Sequence, residues 1–125
     1  MKQHFVAHDG MQLEYIDNEI RSDTLHPVVY VPGMLSGADI MADEMTLLGE
    51  RQVISLSRRG CGNSTFREDA SCTLADYAGD IGVLVDAAGL ETFHLVAFST
   101  GVAFAVRYAT YNPERIQSLL LVDYK

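Results

Sequence analysis

Four strand-like runs, Val28–Val31, Val53–Leu56, Phe93–Phe98 and Ile116–Val122, are separated by stretches that read as helix, and this alternation leaves few folds open. Val28–Val31 is wholly β-branched and aromatic and is stopped by Pro32-Gly33, as suits a strand buried on both faces of a parallel sheet. Parallel neighbours need a long crossover, usually a helix, and the intervals supply candidates. Ala38–Leu48 sets Ile40, Met41, Met45 and Leu48 on one helical face. Thr73 with Asp76 makes a capping-box start, and the helix behind it is expected to bury Leu74, Tyr77, Ala78, Ile81, Leu84 and Val85. Gly79 and Gly82 each cost that helix ~1 kcal/mol, so both are expected to mark close packing. Thr100–Tyr111 is apolar nearly all round and ends at Asn112-Pro113, because the residue before a proline is pushed out of the helical region. Ahead of all this, Gln3–Ala7 and Gln12–Ile16 alternate and are joined by His8-Asp9-Gly10, which predicts an antiparallel hairpin. The expected fold class is α/β, a mostly parallel sheet with an N-terminal antiparallel hairpin and helices on both faces. A length of 125 residues suits one domain over positions 1–125.

Charge removes some function classes. Nine basic against 17 acidic residues leave a formal charge of −8 and no basic stripe, so neither nucleic acid nor an anionic membrane surface is an expected partner. Met1–Gly10 has no signal-peptide pattern, and apolar runs such as Leu119–Val122 fall far short of the ~20 residues that span a bilayer. Cys61 and Cys72 read as free thiols in a reducing compartment, which points to the cytoplasm.

The stretch Phe93–Ala103 carries the chemistry. A buried strand runs straight into a buried helix with Ser99 between them, a turn that strains the serine backbone and tolerates only small neighbours. Ala97 and Gly101 flank it as small-x-Ser-x-small, the nucleophile-elbow pattern with Ala97 in place of the usual first glycine. The elbow sets the hydroxyl at a helix N-terminus, where free N–H groups and the dipole favour an oxyanion. The competing reading is that Ser99 is an ordinary N-cap. Gly60-Cys61-Gly62 lacks the third glycine of a dinucleotide fingerprint and is read as a tight turn. Met41 and Met45 read as core fillers or, with Met34 directly after Gly33, as the wall of an acyl pocket.

With these motifs in order, the chain resembles the α/β-hydrolase family through its sixth strand. Val28–Met34 looks like the family's third strand and oxyanion loop, with Pro32 where histidine is common. Leu56–Ser64 resembles the D-x-R-G-x-G-x-S loop, with Ser57 in place of the aspartate. By this resemblance the fold is an incomplete α/β-hydrolase core lacking the cap and last strands. Ser99 would be the nucleophile, the backbone N–H groups of Met34 and Thr100 the oxyanion hole, and Gly33 part of the oxyanion loop. The resemblance implies neither cofactor nor metal.

The family's catalytic order is serine, acid, histidine. All four histidines, His4, His8, His26 and His94, lie upstream of Ser99. Asp123 closes the sixth strand on the edge that holds Ser99 and is either the acid or a loop-entry residue. The expectation is a serine hydrolase of a small ester or related acyl compound, inactive as this stretch alone. Its rival is a non-catalytic remnant or a binding module on the same fold. The strand at 116–122 would be an apolar edge, so the chain is expected either to come from a longer protein or to self-associate through it.

Overall fold

The computed structural model describes residues 1–33 and 35–123. The hairpin forms as β1 (Lys2–His8) and β2 (Met11–Asp17), paired antiparallel from Lys2↔Asp17 to His8↔Met11. Asp9 and Gly10 make its turn at φ 53° and 76°, a left-handed pair that fits the twist of the flanking strands. Then follow β3 (Val28–Val31), a 3-10 turn (Ala38–Met41), α1 (Ala42–Leu47), β4 (Val53–Ser57), α2 (Leu74–Ala87), β5 (Phe93–Phe98), α3 (Gly101–Tyr111) and β6 (Ile116–Val122). The six strands form one sheet in the order β1-β2-β4-β3-β5-β6, antiparallel from β1 to β4 and parallel from β4 to β6.

Alternation along each strand splits the core into two layers. Val29, Val31, Ile54, Leu56, Phe93, Leu95 and Ala97 face α2 and α3, meeting Ile81, Leu84, Val85, Val102, Ala105 and Tyr108. Val28, Tyr30, Val53 and Val96 face the other way, onto Met41 and Met45. Helices therefore cover both faces, and the two methionines are core fillers. The segment 38–48 is shorter and less regular than its periodicity predicts. It starts as a 3-10 turn, and Ile40 (60% exposed) and Leu48 stay at the surface.

Helix α2 begins as its sequence predicts. The Thr73 side chain accepts from the Asp76 N–H, and the Asp76 carboxylate accepts from the Thr73 N–H, closing the capping box. Hydroxyl donation from Ser71, then hydroxyl and N–H donation from Thr73, hold the Asp76 carboxyl down at about 2. The two glycines of α2 differ from each other. A Cβ on Gly82 would meet Tyr108 at 3.4 Å, whereas one on Gly79 would meet nothing within 4 Å. Gly79 thus marks no close packing; it opens onto the groove between α2 and α3. Leu74 is also exposed, because it lines an open apolar groove with Val102, Val106 and Leu121 instead of the core. Arg59, at the exit of β4, is tied to α2 by a buried fork on Asp80, with Nη2 at 2.7 Å and Nε at 3.1 Å.

The outer edge of β6 has no strand beside it among the described residues, and Leu119, Leu120 and Leu121 are 37%, 57% and 42% exposed. An apolar, uncharged edge is a template for pairing with another chain. The 125-residue chain is therefore expected to self-associate in sedimentation velocity, and Leu120→Lys is expected to shift it towards monomer. A wild-type chain that stays monomeric as concentration rises would refute this.

Candidate active site

Ser99 and Thr100 make the whole connection between β5 and α3. So short a turn puts Ser99 at φ 51°, a left-handed conformation that costs a non-glycine residue roughly 1–2 kcal/mol. Two backbone bonds hold it there. The Ser99 N–H donates to Val122 O at 2.9 Å, and Ser99 O accepts from the Val102 N–H at 3.1 Å. The N-cap of α3 is Thr100, not Ser99, and no side chain caps that end. Ser99 is exposed, and its hydroxyl has no hydrogen-bond partner among the described residues.

Space beside the turn is short at Gly101. A Cβ on Gly101 would lie 2.7 Å from both Val31 O and Pro32 O, which only backbone movement could relieve. Ala97 is fully buried in the layer beneath α3. Gly33, just past β3, stands directly against the elbow: a Cβ there would sit 3.1 Å from Ser99 Cβ and 3.8 Å from Ser99 Oγ.

Beyond Gly33 the chain turns, with the Ser36 N–H donating to Gly33 O at 3.2 Å and Leu35 at φ 61°. Met34, expected as one oxyanion donor, lies outside the described residues. Thr100 holds the position expected of the second. It caps the first turn of an 11-residue helix, and no carbonyl of the described residues takes its N–H. An acyl oxygen bound to Ser99 would develop its charge at the positive end of that helix.

Sequence reasoning missed two side chains that brace this edge. Glu14 of β2 is buried and accepts from the Gln3 amide, from Ser57 Oγ at 2.7 Å, from Asn63 Nδ2 at 2.8 Å and from the Asn63 N–H at 3.1 Å. Ser57 Oγ in turn accepts from the Ala38 N–H at 2.7 Å. Position 57, where the resemblance expects a carboxylate, is a serine that donates to the Glu14 carboxylate of β2. Desolvation raises the Glu14 carboxyl, but the donors from Gln3, Asn63 and Ser57 outweigh it and hold it below its ordinary value of 4.5. Gly62 is glycine because a Cβ there would strike Ser57 Oγ at 2.5 Å and Glu14 Oε1 at 2.8 Å. The Gly60–Ser64 segment is a pair of turns, with Cys61 N–H to Arg58 O at 3.0 Å and Ser64 N–H to Cys61 O at 2.9 Å. The second missed side chain is Arg58, whose guanidinium bonds the exit of β3. The signals were an acid among apolar neighbours in β2 and a doubled arginine at the end of a buried strand.

The histidines lie elsewhere. His94 opens β5, ~16 Å along the strand from Ser99, and bonds Ser118 Oγ at 2.6 Å. Burial, then the Arg51 and His26 charges, lower its pKa. His26 bonds Thr92 Oγ1 beside it at 3.1 Å, and His4 stacks on Tyr15 at 4.7 Å. His8 ends β1, next to the hairpin turn. Asp123 does sit at the elbow's edge. It follows Val122, the residue whose carbonyl holds the Ser99 N–H, and is exposed at φ 55°.

Two outcomes are expected from this geometry. Ser99→Gly relieves the left-handed strain and should raise unfolding free energy by about 1 kcal/mol in urea titration, whereas Ser99→Ala should not. A carboxyl held below its ordinary value contributes stability above that value and loses it as pH falls through the lowered one. Stability should therefore fall on acidification below about 4.5, the ordinary Glu14 value. Glu14→Gln should cost about 1–3 kcal/mol at neutral pH and flatten that acid limb.

Comparison with known proteins places this geometry. The family model for the alpha/beta hydrolase fold matches residues 26–124. The N-formylmaleamate deformylase of Pseudomonas putida is 33% identical over 99 residues, covering 78% of this chain and 37% of that protein. The proline iminopeptidase of Lactobacillus acidophilus is 30% identical over 93 residues, covering 72% and 32%. Among solved structures, Cfl2 from Burkholderia cenocepacia superposes with a TM-score of 0.87 at 22% identity, over 98% of this chain and 41% of that one. The chain therefore spans well under half the length of the relatives it matches. It holds the hairpin, the sheet through β6 and the strand-turn-helix of that fold, and the chain belongs to the alpha/beta hydrolase fold family.

Proposed function

We propose that Ser99 is the nucleophile of a serine hydrolase acting on an ester or related acyl compound. The observation that carries this reading is the left-handed Ser99 at a two-residue strand-to-helix turn, exposed and not used as a cap. Strain that the surrounding structure holds at an exposed hydroxyl, between a buried strand and a buried helix, supports a site kept for chemistry. Ser99 Oγ would attack the acyl carbon, and the leaving group would depart with a proton to give an acyl-enzyme that water then cleaves. The N–H groups of Thr100 and Met34 would receive the oxyanion, and Asp123 is the candidate acid. The base must come from residues other than the four histidines, which lie at the hairpin or at the opposite strand ends. A cytoplasmic setting fits the two unbridged cysteines.

The rival reading, a non-catalytic module on the same fold, draws on the absence of a histidine near Ser99 among the described residues. A fluorophosphonate probe separates the two. The natural protein carrying these residues should be labelled at Ser99, with labelling abolished by Ser99→Ala. A folded protein that takes no label, or takes it at another serine, would overturn the nucleophile and favour the module.

A further inference from the structure

We infer that Arg58 is a positioning residue for the Gly33 turn that packs against Ser99, an inference that rests on the proposed role of Ser99. Arg58 directly follows β4, and its side chain reaches across to the end of β3. Its Nη1 donates to Gly33 O at 3.1 Å and approaches Pro32 O at 3.4 Å. On the helix side, the guanidinium carbon lies 5.1 Å from the Phe104 ring centroid and 5.9 Å from that of Tyr77. Those two rings, one from α3 and one from α2, stack on each other at 4.7 Å. The guanidinium is held between aromatic faces and two carbonyls.

The charge pattern sets Arg58 apart from its neighbour. Arg59 spends its guanidinium on the buried Asp80 carboxylate. Arg58 makes no ion pair among the described residues, in a chain with 17 acidic residues to choose from. Its charge is directed at main-chain oxygens, where a charged donor makes a stronger bond than a neutral one. A planar fork that also stacks on rings suits this place better than an ammonium group.

The consequence follows from peptide geometry. A trans peptide unit is planar, so its carbonyl oxygen and its N–H point in opposite directions. A donor that holds Gly33 O therefore also restrains the plane of that peptide unit at the turn beside Ser99. Gly33 is packed against Ser99, so a swing of this unit would disturb the wall beside the nucleophile.

The test uses the natural protein carrying these residues, with Arg58→Ala and Arg58→Lys, and two readouts. Hydrogen exchange at the Ser36 N–H, which donates to Gly33 O, reports the loop without reference to chemistry. The rate of fluorophosphonate reaction at Ser99 reports the site. Arg58→Ala should exchange faster at Ser36 and label about tenfold more slowly, a smaller loss than removing an oxyanion donor outright. Millimolar guanidinium should restore part of both, and lysine should restore less than arginine. Unchanged exchange and labelling in Arg58→Ala would overturn the inference, as would slowed labelling that neither guanidinium nor Arg58→Lys improves. If wild-type Ser99 takes no label, the nucleophile reading fails, while Ser36 exchange still decides whether Arg58 holds the loop. Should Arg58→Ala not fold, Arg58→Met keeps the stem against the rings and carries the same comparison.

Discussion

The site depends on how closely the start of α3 crosses the end of β3. The helix begins where Gly101 faces the carbonyls of Val31 and Pro32, with no space for a Cβ between them. That approach sets how deeply Val102, Ala105 and Tyr108 enter the core under the sheet. It also sets the length of the turn. With α3 pressed onto β3 and entering immediately after β5, two residues must reverse the backbone, and the first is forced to a positive φ. Ser99 is strained because the packing around it is strong enough to hold it so.

Charge is arranged to brace the loops on that same edge. Glu14 gathers donors from β1, β4 and the Gly60–Ser64 turns, and Ser57 passes the connection on to the start of the 3-10 turn at Ala38. Arg59 ties the exit of β4 to α2 through Asp80, and Arg58 ties it to the exit of β3. The N-terminal hairpin therefore does more than widen the sheet. It delivers the carboxylate that accepts from the Ser57 hydroxyl.

The elbow, the Gly33 turn and Asp123 share one edge of the sheet, while His26 and His94 share the opposite one. Parallel strands impose this division, since all of their C-terminal ends gather the loops on one side. A histidine that opens a strand cannot reach a serine that closes it, whatever rotamer it takes. The geometry thus separates a strained hydroxyl, with the Thr100 N–H beside it, from the imidazoles in the same chain.

Much of this was legible in the sequence, and the reasons differ by element. The strands were legible because burial on both faces demands continuous apolar runs, as at Val28–Val31 and Phe93–Phe98. The α2 start was legible because a capping box is local chemistry, and the elbow because steric demand on Ala97 and Gly101 leaves a mark on residue size. Burial of individual helix residues was less legible. Ile40, Leu74 and Gly79 follow the periodicity yet remain at the surface, because periodicity gives a face and only neighbouring elements decide whether anything covers it. Sequence alone thus determined the strand order along the chain, the hairpin, the family and the residue at the elbow, each fixed by short-range backbone and steric rules. Only the tertiary structure decided that Ser99 is left-handed rather than capping, that Glu14 bonds a serine 43 positions away, and that Arg58 grips Gly33. Those depend on which distant backbone atoms come within hydrogen-bonding distance, and no local pattern encodes that.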